Sequence, residues 1–319
     1  MTDSVYAQKV AAQPESVALR AEYAQHLFQM GDLRGSISQV QAGLALPRRP
    51  GEEQSFSALM NLERLLLGKN LRRLVGSLSG LIPEGQKPHF EDGKLVEVVV
   101  QVSSGTVALL EKALSSGKSL GTVEVLGLIV DDVGDEVLRL LSAAALPSLV
   151  ELNFWARGPL SELAVHGLTA SSLGQGLEVL YLRGDRISDR MVMACAQASP
   201  RLMELRLRSQ ERSVTLEAAY ALADAQGLSG LVTLGLMGTC FGDRGALALA
   251  TSKALAGLRR LDLRDGMLTN EGARILSAGS ALRQLESLDV AWNQIDDAGL
   301  AELRRWGIEV RADYQHQRP

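Results

Sequence analysis

Leu258-Arg259-Arg260-Leu261-Asp262-Leu263 decides the fold of this chain, because its apolar residues at positions one, four and six return in seven other places. The other copies are Leu95-Val98-Val100, Val123-Leu126-Leu128, Leu149-Leu152-Phe154, Leu177-Leu180-Leu182, Leu202-Leu205-Leu207, Leu231-Leu234-Leu236 and Leu285-Leu288-Val290. In chain order the eight starts lie 28, 26, 28, 25, 29, 27 and 27 residues apart. A near-constant period of this length marks a solenoid, in which no unit buries its apolar face without a neighbour. After Arg259 the alternation has period two. Leu261 and Leu263 therefore point inward while Arg260, Asp262 and Arg264 point outward, as in a strand with one buried face.

Downstream of each strand the spacing becomes helical, as in Gly245-Ala246-Leu247-Ala248-Leu249-Ala250, Gly272-Ala273-Arg274-Ile275-Leu276 and Gly299-Leu300-Ala301-Glu302-Leu303. A strand followed by an α-helix in units of 25–29 residues is the long kind of repeat. The stretch L-D-V-A-W-N-Q-I-D-D-A-G-L-A-E-L, Leu288 to Leu303, resembles the ribonuclease-inhibitor-like subclass of leucine-rich repeats, and the likeness covers roughly 95–310. What the resemblance implies is an α/β solenoid: an arc with parallel strands on the concave face and helices on the convex face. It also implies a surface for partners and no chemistry of its own. The family carries an Asn whose side chain bonds the turn backbone, and here that residue survives as Asn293. Its equivalents are Ser103, Asp131, Arg157, Asp185, Gln210, Thr239 and Gly266. Asp and Thr can make similar local bonds. Arg157, Gln210 and Gly266 cannot do so in the same way, so the turns after repeats three, five and seven are expected to be irregular.

The N-terminal ninety residues follow a different pattern. Leu19, Tyr23, Leu27 and Met30 have helical spacing before Gly31-Asp32; Ile37, Val40 and Leu44 suggest a second helix, and Leu59, Leu62, Leu66 and Leu74 a third. Asp32 and Arg34 are expected to tie the first inter-helix turn electrostatically. The stretch L-R-A-E-Y-A-Q-H-L-F-Q-M-G-D-L-R-G, Leu19 to Gly35, resembles the repeat-companion domain of myxobacterial and planctomycete proteins, with Gln25 and His26 replacing that family's acid and tryptophan. The division expected is a helical companion-like region over 1–50, a helical linker or N-terminal cap over 51–94, eight repeats with a short closing strand over 95–311, and a tail over 312–319. The closing strand is placed at Trp306-Gly307-Ile308-Glu309-Val310.

Composition narrows the function. A hydrophobic content of 46% with only 4% aromatic reflects Leu, Val and Ala filling small repeated layers. A net charge of −4 argues against a general binder of nucleic acid or of acidic membranes. Cys195 and Cys240 lie in separate repeats and make no disulfide framework, and Cys195 sits in a helical run where buried packing is its expected role. The opening Met1-Thr2-Asp3-Ser4 has neither the basic start nor the apolar stretch of a signal peptide, and no apolar run is long enough to span a bilayer. A soluble cytoplasmic protein is the expectation. His26, His89, His166 and His316 are far apart and lack carboxylate or Cys partners at metal-ligand spacing. No Walker, zincin, C-x-x-C or G-x-S-x-G motif occurs, so neither an enzyme nor a metal or cofactor site is expected. Asp131-Asp132 and Asp296-Asp297 read as turn acids.

The outward strand positions form columns across the sheet. One reads Glu97, Val125, Glu151, Val179, Glu204, Thr233, Arg260, Ser287; the next reads Val99, Gly127, Asn153, Tyr181, Arg206, Gly235, Asp262, Asp289. The third reads Gln101, Ile129, Trp155, Arg183, Arg208, Met237, Arg264, Ala291. Acids and arginines balance over the whole face, yet Trp155, Tyr181, Arg183, Arg206 and Arg208 cluster in three adjacent repeats, with Arg264 further along. Aromatics and arginines dominate interface energetics because they bury large area and bond bidentately. These six residues are the expected contact set for a protein partner with an acidic element. The plain structural alternative is that the arginines keep an exposed sheet soluble, with Glu204 offsetting Arg206 or Arg183. Two other functions stay open. Ran GTPase-activating proteins use the same repeat subclass, which would make Arg157 or Arg244 the residue to watch, and the terminal caps could build a larger assembly. The sequence leaves the oligomeric state and the partner's identity open.

Overall fold

Among the described residues five helices precede the first strand: α1 (Asp3–Ala12), α2 (Val17–Met30), α3 (Leu33–Leu44), α4 (Glu53–Lys69) and α5 (Leu71–Val75). The structure, a computed structural model, describes residues 2–116 and 120–315. They fall into two compact units, one within 1–101, 105–127 and 145–148, the other within 102–104, 128–144 and 149–319.

In the first unit Ser16 caps α2 by accepting from the Leu19 N–H, and Gly31 ends that helix in the left-handed region at φ 83°. Asp32 caps α3 through the Gly35 N–H. Arg34 turns away and donates to the Leu74 carbonyl at 2.8 Å, so the expected electrostatic tie between Asp32 and Arg34 is replaced by a cap and a tertiary hydrogen bond. α1 was not legible in the sequence. It covers part of α2 with Val10, and Tyr6 stacks on Tyr23 at 5.6 Å between ring centroids. The third helical run divides at Asn70, with Leu59, Leu62 and Leu66 buried on α4 and Leu74 on α5. The unit then passes through β1 (His89–Glu91), β2 (Lys94–Val102) and α6 (Val107–Ser116).

The rest of the chain alternates strand and helix: β3 (Val125–Val130), α7 (Gly134–Ala143), β4 (Glu151–Ala156), α8 (Glu162–Ala170), α9 (Ser172–Gly176), β5 (Val179–Gly184), α10 (Asp189–Ala196) and β6 (Glu204–Ser209). It continues through α11 (Leu216–Asp224), β7 (Thr233–Met237), α12 (Gly242–Thr251), β8 (Arg260–Asp262), α13 (Asn270–Ala278), β9 (Ser287–Asp289), α14 (Asp297–Arg305) and β10 (Glu309–Arg311). The ten strands form one open sheet in chain order. β1 pairs antiparallel to β2, and each successive pair from β4 to β10 is parallel. This is an α/β solenoid.

Its register matches the sequence columns. Leu152, Leu180, Leu205, Leu234, Leu261 and Leu288 pair in one row, and each is at most 2% exposed. Their partners two residues on, Phe154, Leu182, Leu207, Leu236, Leu263 and Val290, are buried as well. Full burial of one such aliphatic side chain stabilises by roughly 1.5–3 kcal/mol, so each repeat rests on its neighbours for much of its stability.

Two hydrogen-bond systems hold the repeats in step. The first is the surviving turn residue. Asn293 is buried and accepts from the Gly266 and Leu268 N–H groups at 3.0 and 2.9 Å, while its amide donates to the Leu263 and Val290 carbonyls. Earlier turns lose this bond: Thr239 Oγ1 is buried without a partner, Arg157 turns to Asp131, and Gln210 to Asp185. The second system was not foreseen. Ser161, Ser188, Thr215, Thr269 and Asp296 cap their helices, and each cap is held by a residue 26 positions earlier. Those anchors are Asp135, Glu162, Asp189, Asp243 and Asn270, at 2.6–3.0 Å. Asp296 is thus a cap, as the turn-acid reading expected, but one of a series.

Left-handed turns recur two residues beyond the last strand apolar: Gly238 at φ 73°, Asp265 at 55° and Trp292 at 58°. At Gly238 a Cβ would meet the Ser209 carbonyl oxygen at 1.9 Å, so only glycine fits there.

Candidate functional site

The face of β4 to β9 that does not pack on the helices carries the candidate residues. Strand pairing sets Trp155 beside Arg183 and Arg183 beside Arg208, and sets Tyr181 beside Arg206. The Arg183 guanidinium lies 4.1 Å from the Trp155 ring centroid. Arg157 covers the same ring at 4.8 Å. Two guanidinium groups thus lie against the half-buried Trp155, an arrangement in which ring quadrupole and cation attract. Arg157 was set apart in the sequence as a misfit in the turn. The signal that could have placed it is the period of two, which puts residues 155 and 157 on one face.

Electrostatics divides the six expected residues. Arg206 Nε reaches Glu204 at 2.5 Å, a pair along one strand. Arg264 grips Asp262 with Nε at 2.9 Å and Nη2 at 2.6 Å, and lies 3.6 Å from Asp289. Donation to Asp262 holds the Arg264 guanidinium above its ordinary value. Burial raises the Asp289 carboxyl above the usual carboxylate range, and the charge of Asp262 acts the same way. Arg183 goes the other way: burial lowers its guanidinium, and the positive charges of Arg208 and Arg157 add to the effect. Among the described residues neither Arg183 nor Arg208 forms an ion pair with a carboxylate.

A shallow depression of about 240 Å³ lies beside this cluster, with Tyr181, Arg206, Arg208, Met237, Asp262 and Arg264 among its lining residues. Gly235 leaves room there, since a Cβ would sit 3.1 Å from Arg206 Cγ. The depression brings four of the expected residues together. Trp155 and Arg183 stand next to it, and Met237 and Asp262 are additions. Arg244, the other arginine considered, is exposed on α12 and borders a separate groove with Tyr220 and Leu247.

Nothing in this constellation resembles a catalytic array. Cys195 is fully buried, which pushes its thiol up to about 12. Cys240 is exposed and its Sγ lies 2.8 Å from the Arg212 carbonyl. Among the described residues no group of three His, Cys, Asp or Glu could hold a metal, and no helix is long and apolar enough to cross a membrane. His316 lies outside the described residues.

Residues 282–303 match the family model described as Leucine Rich repeat. They span β9 and most of α14, the unit whose spacing and buried Asn293 are described above. That one unit of the series is thus similar to a leucine-rich repeat. No curated protein matches the chain. Among solved structures, a Bacteroides fragilis protein is 16% identical over 86% of this chain and 87% of its own, with a TM-score of 0.46. A chain of the Rad7 and Elc1 complex in yeast is 13% identical over 94% of this chain and 95% of its own, with a TM-score of 0.41. An internalin (inlF) from Listeria monocytogenes is 15% identical over 70% of this chain and 87% of its own, with a TM-score of 0.26.

Proposed function

We propose that the protein is a non-catalytic scaffold that binds a protein partner on the open sheet face, around Trp155, Tyr181, Arg183, Arg206, Arg208 and Arg264. The observation that carries this reading is Trp155 itself. A soluble sheet gains nothing from an outward indole with two guanidinium groups against it, whereas aromatic and Arg side chains are the common anchors of interfaces. The leucine-rich repeats supply the rigid platform. The unpaired arginines favour a partner with an acidic element, and the ion-paired Arg206 and Arg264 serve as a polar rim.

Truncation of Trp155 or Arg208 is expected to weaken binding by roughly 1–4 kcal/mol, and truncation of Arg274 on α13 by little. The test is quantitative affinity capture with wild type, a Trp155→Ala/Arg208→Ala double variant and Arg274→Ala. Proteins retained by wild type and Arg274→Ala but depleted from the double variant are the expected result. Equal recovery by all three baits removes the sheet face from consideration.

A further inference from the structure

The guanidinium groups of Arg157 and Arg183 lie against one indole, and Arg208 stands beside Arg183 on the next strand. Arg157 is neutralised by Asp131 at 3.1 Å. Arg183 and Arg208 keep two uncompensated charges. Asp185 acts on Arg183 only at longer range, and its Oδ1 takes the Gln210 amide at 2.6 Å. Two donors are also orphaned, since Trp155 Nε1 and Arg183 Nε are both occluded and neither has an acceptor. A buried N–H without a partner is a cost that native structures rarely carry. Both side chains are only partly buried, so a rotation presents either donor to an arriving acceptor.

We infer that Trp155, Arg183 and Arg208 form a receptor for a phosphoryl group borne on a side chain of the protein partner. The inference rests on the sheet-face reading for its partner. Two uncompensated arginines call for close to two negative charges in one place. A single carboxylate supplies one charge, whereas a phosphoryl monoester supplies nearly two and three acceptor oxygens. Arginine presents its planar fork to such an oxyanion bidentately.

The surroundings select the source. The neighbouring depression is shallow and opens on the sheet surface, while sites for free small molecules enclose most of their ligand. Glu151, Glu204 and Asp262 line it, so an extended polyanion such as a nucleic acid meets repulsion a few residues from the arginines. A compact dianion on an otherwise weakly charged peptide fits both constraints.

The chain has three tryptophans, Trp155, Trp292 and Trp306, so indole N–H signals of the 15N-labelled protein resolve the site directly. Trp155→Phe assigns the first of them. O-phospho-L-serine and inorganic phosphate are titrated in turn, against acetate and glutamate at matched ionic strength. The Trp155 signal is expected to move saturably with the two phosphates, with the Trp292 and Trp306 signals unmoved. Arg183→Gln or Arg208→Gln should weaken the response by about tenfold or more. Arg274→Gln should leave it unchanged. A Trp155 signal that stays still, or that moves equally with acetate, overturns the receptor. The second arm treats the lysate with a protein phosphatase before capture on the wild-type chain. Loss of the retained partner is expected, and undiminished recovery overturns a protein-borne phosphoryl group. The titration needs only this chain, so it stands or falls separately from whether the sheet face captures a partner.

Discussion

Asn293 is the residue whose replacement most sharply tests how these turns are held. Its side-chain oxygen accepts from two backbone N–H groups, Gly266 and Leu268, and its amide donates to the Leu263, Val290 and Ala291 carbonyls. Asn293→Leu keeps the branched outline of the side chain but leaves those two buried N–H groups without acceptors. Each such loss costs about 1–3 kcal/mol, so the variant should lose roughly 2–6 kcal/mol. In a unit of this size that lowers the melting temperature by about 4–24 °C. Asn293→Asp separates the two halves of the bond set, because it keeps the acceptors and puts a carboxylate against three carbonyls. The introduced carboxyl should have a folded-state pKa above its unfolded value of about 3.9. Its penalty is therefore fully present above the folded pKa and shrinks as pH falls towards the unfolded one, where the protonated acid donates again. Thermal melts of both variants between pH 4 and 8, with hydrogen exchange at Gly266 and Leu268, measure this. If Asn293→Leu melts within about 0.5 kcal/mol of wild type, the turn bonds do not carry the stability assigned to them.

Other consequences follow from burial. Leu205→Asp places an unpaired charge in a row that is wholly buried and should cost several kcal/mol, read as a lost or strongly lowered melting transition; normal melting refutes the strand register. A thiol reagent at pH 8 should label one cysteine in the native protein, Cys240, and both after unfolding, since Cys195 is enclosed and its thiol pushed up to about 12; two rapid native equivalents would contradict the α10 packing. Asp289 is raised in the folded state by burial, so its ionisation opposes folding above that raised value. Asp289→Asn should therefore stabilise at neutral pH, with the gain vanishing as pH falls through the folded value, and destabilisation at pH 7 would show that the Arg264 contact outweighs burial.

Periodicity made the repeat core readable because the same physical demand recurs: Leu180, Leu205 and Leu234 occupy equivalent places, and one misreading would be corrected by the next copy. The column order on the sheet face follows from the same count, which is why Trp155, Arg183 and Arg208 could be set side by side from sequence. What the count omits is side-chain reach. Arg206 and Arg264 looked equal to Arg183, yet Glu204 and Asp262 stand two residues before them on the same strand face and take up their charges. Arg157 was hidden for the opposite reason: it departs from the turn pattern, and its partners, Trp155 and Asp131, lie on either side of a repeat boundary. The ladder of helix caps was legible in principle, as Asp135 to Ser161 and Asp189 to Thr215 share one spacing, but a contact between repeats is invisible to a reading made within each. α1 carries no strong apolar face and packs through Tyr6 and Val10, so tertiary packing rather than pattern makes it helical.

If the scaffold works as proposed, the open sheet face and not the helical face meets the partner. Photo-crosslinking decides it most directly. A photoreactive amino acid is placed at Asn153 or Met237, which flank the arginine cluster, and in parallel at Arg274 on α13. A discrete crosslinked adduct is expected from positions 153 and 237 that disappears when Trp155→Ala and Arg208→Ala are added, with none from position 274. An adduct that forms from position 274 and not from the sheet positions would contradict it.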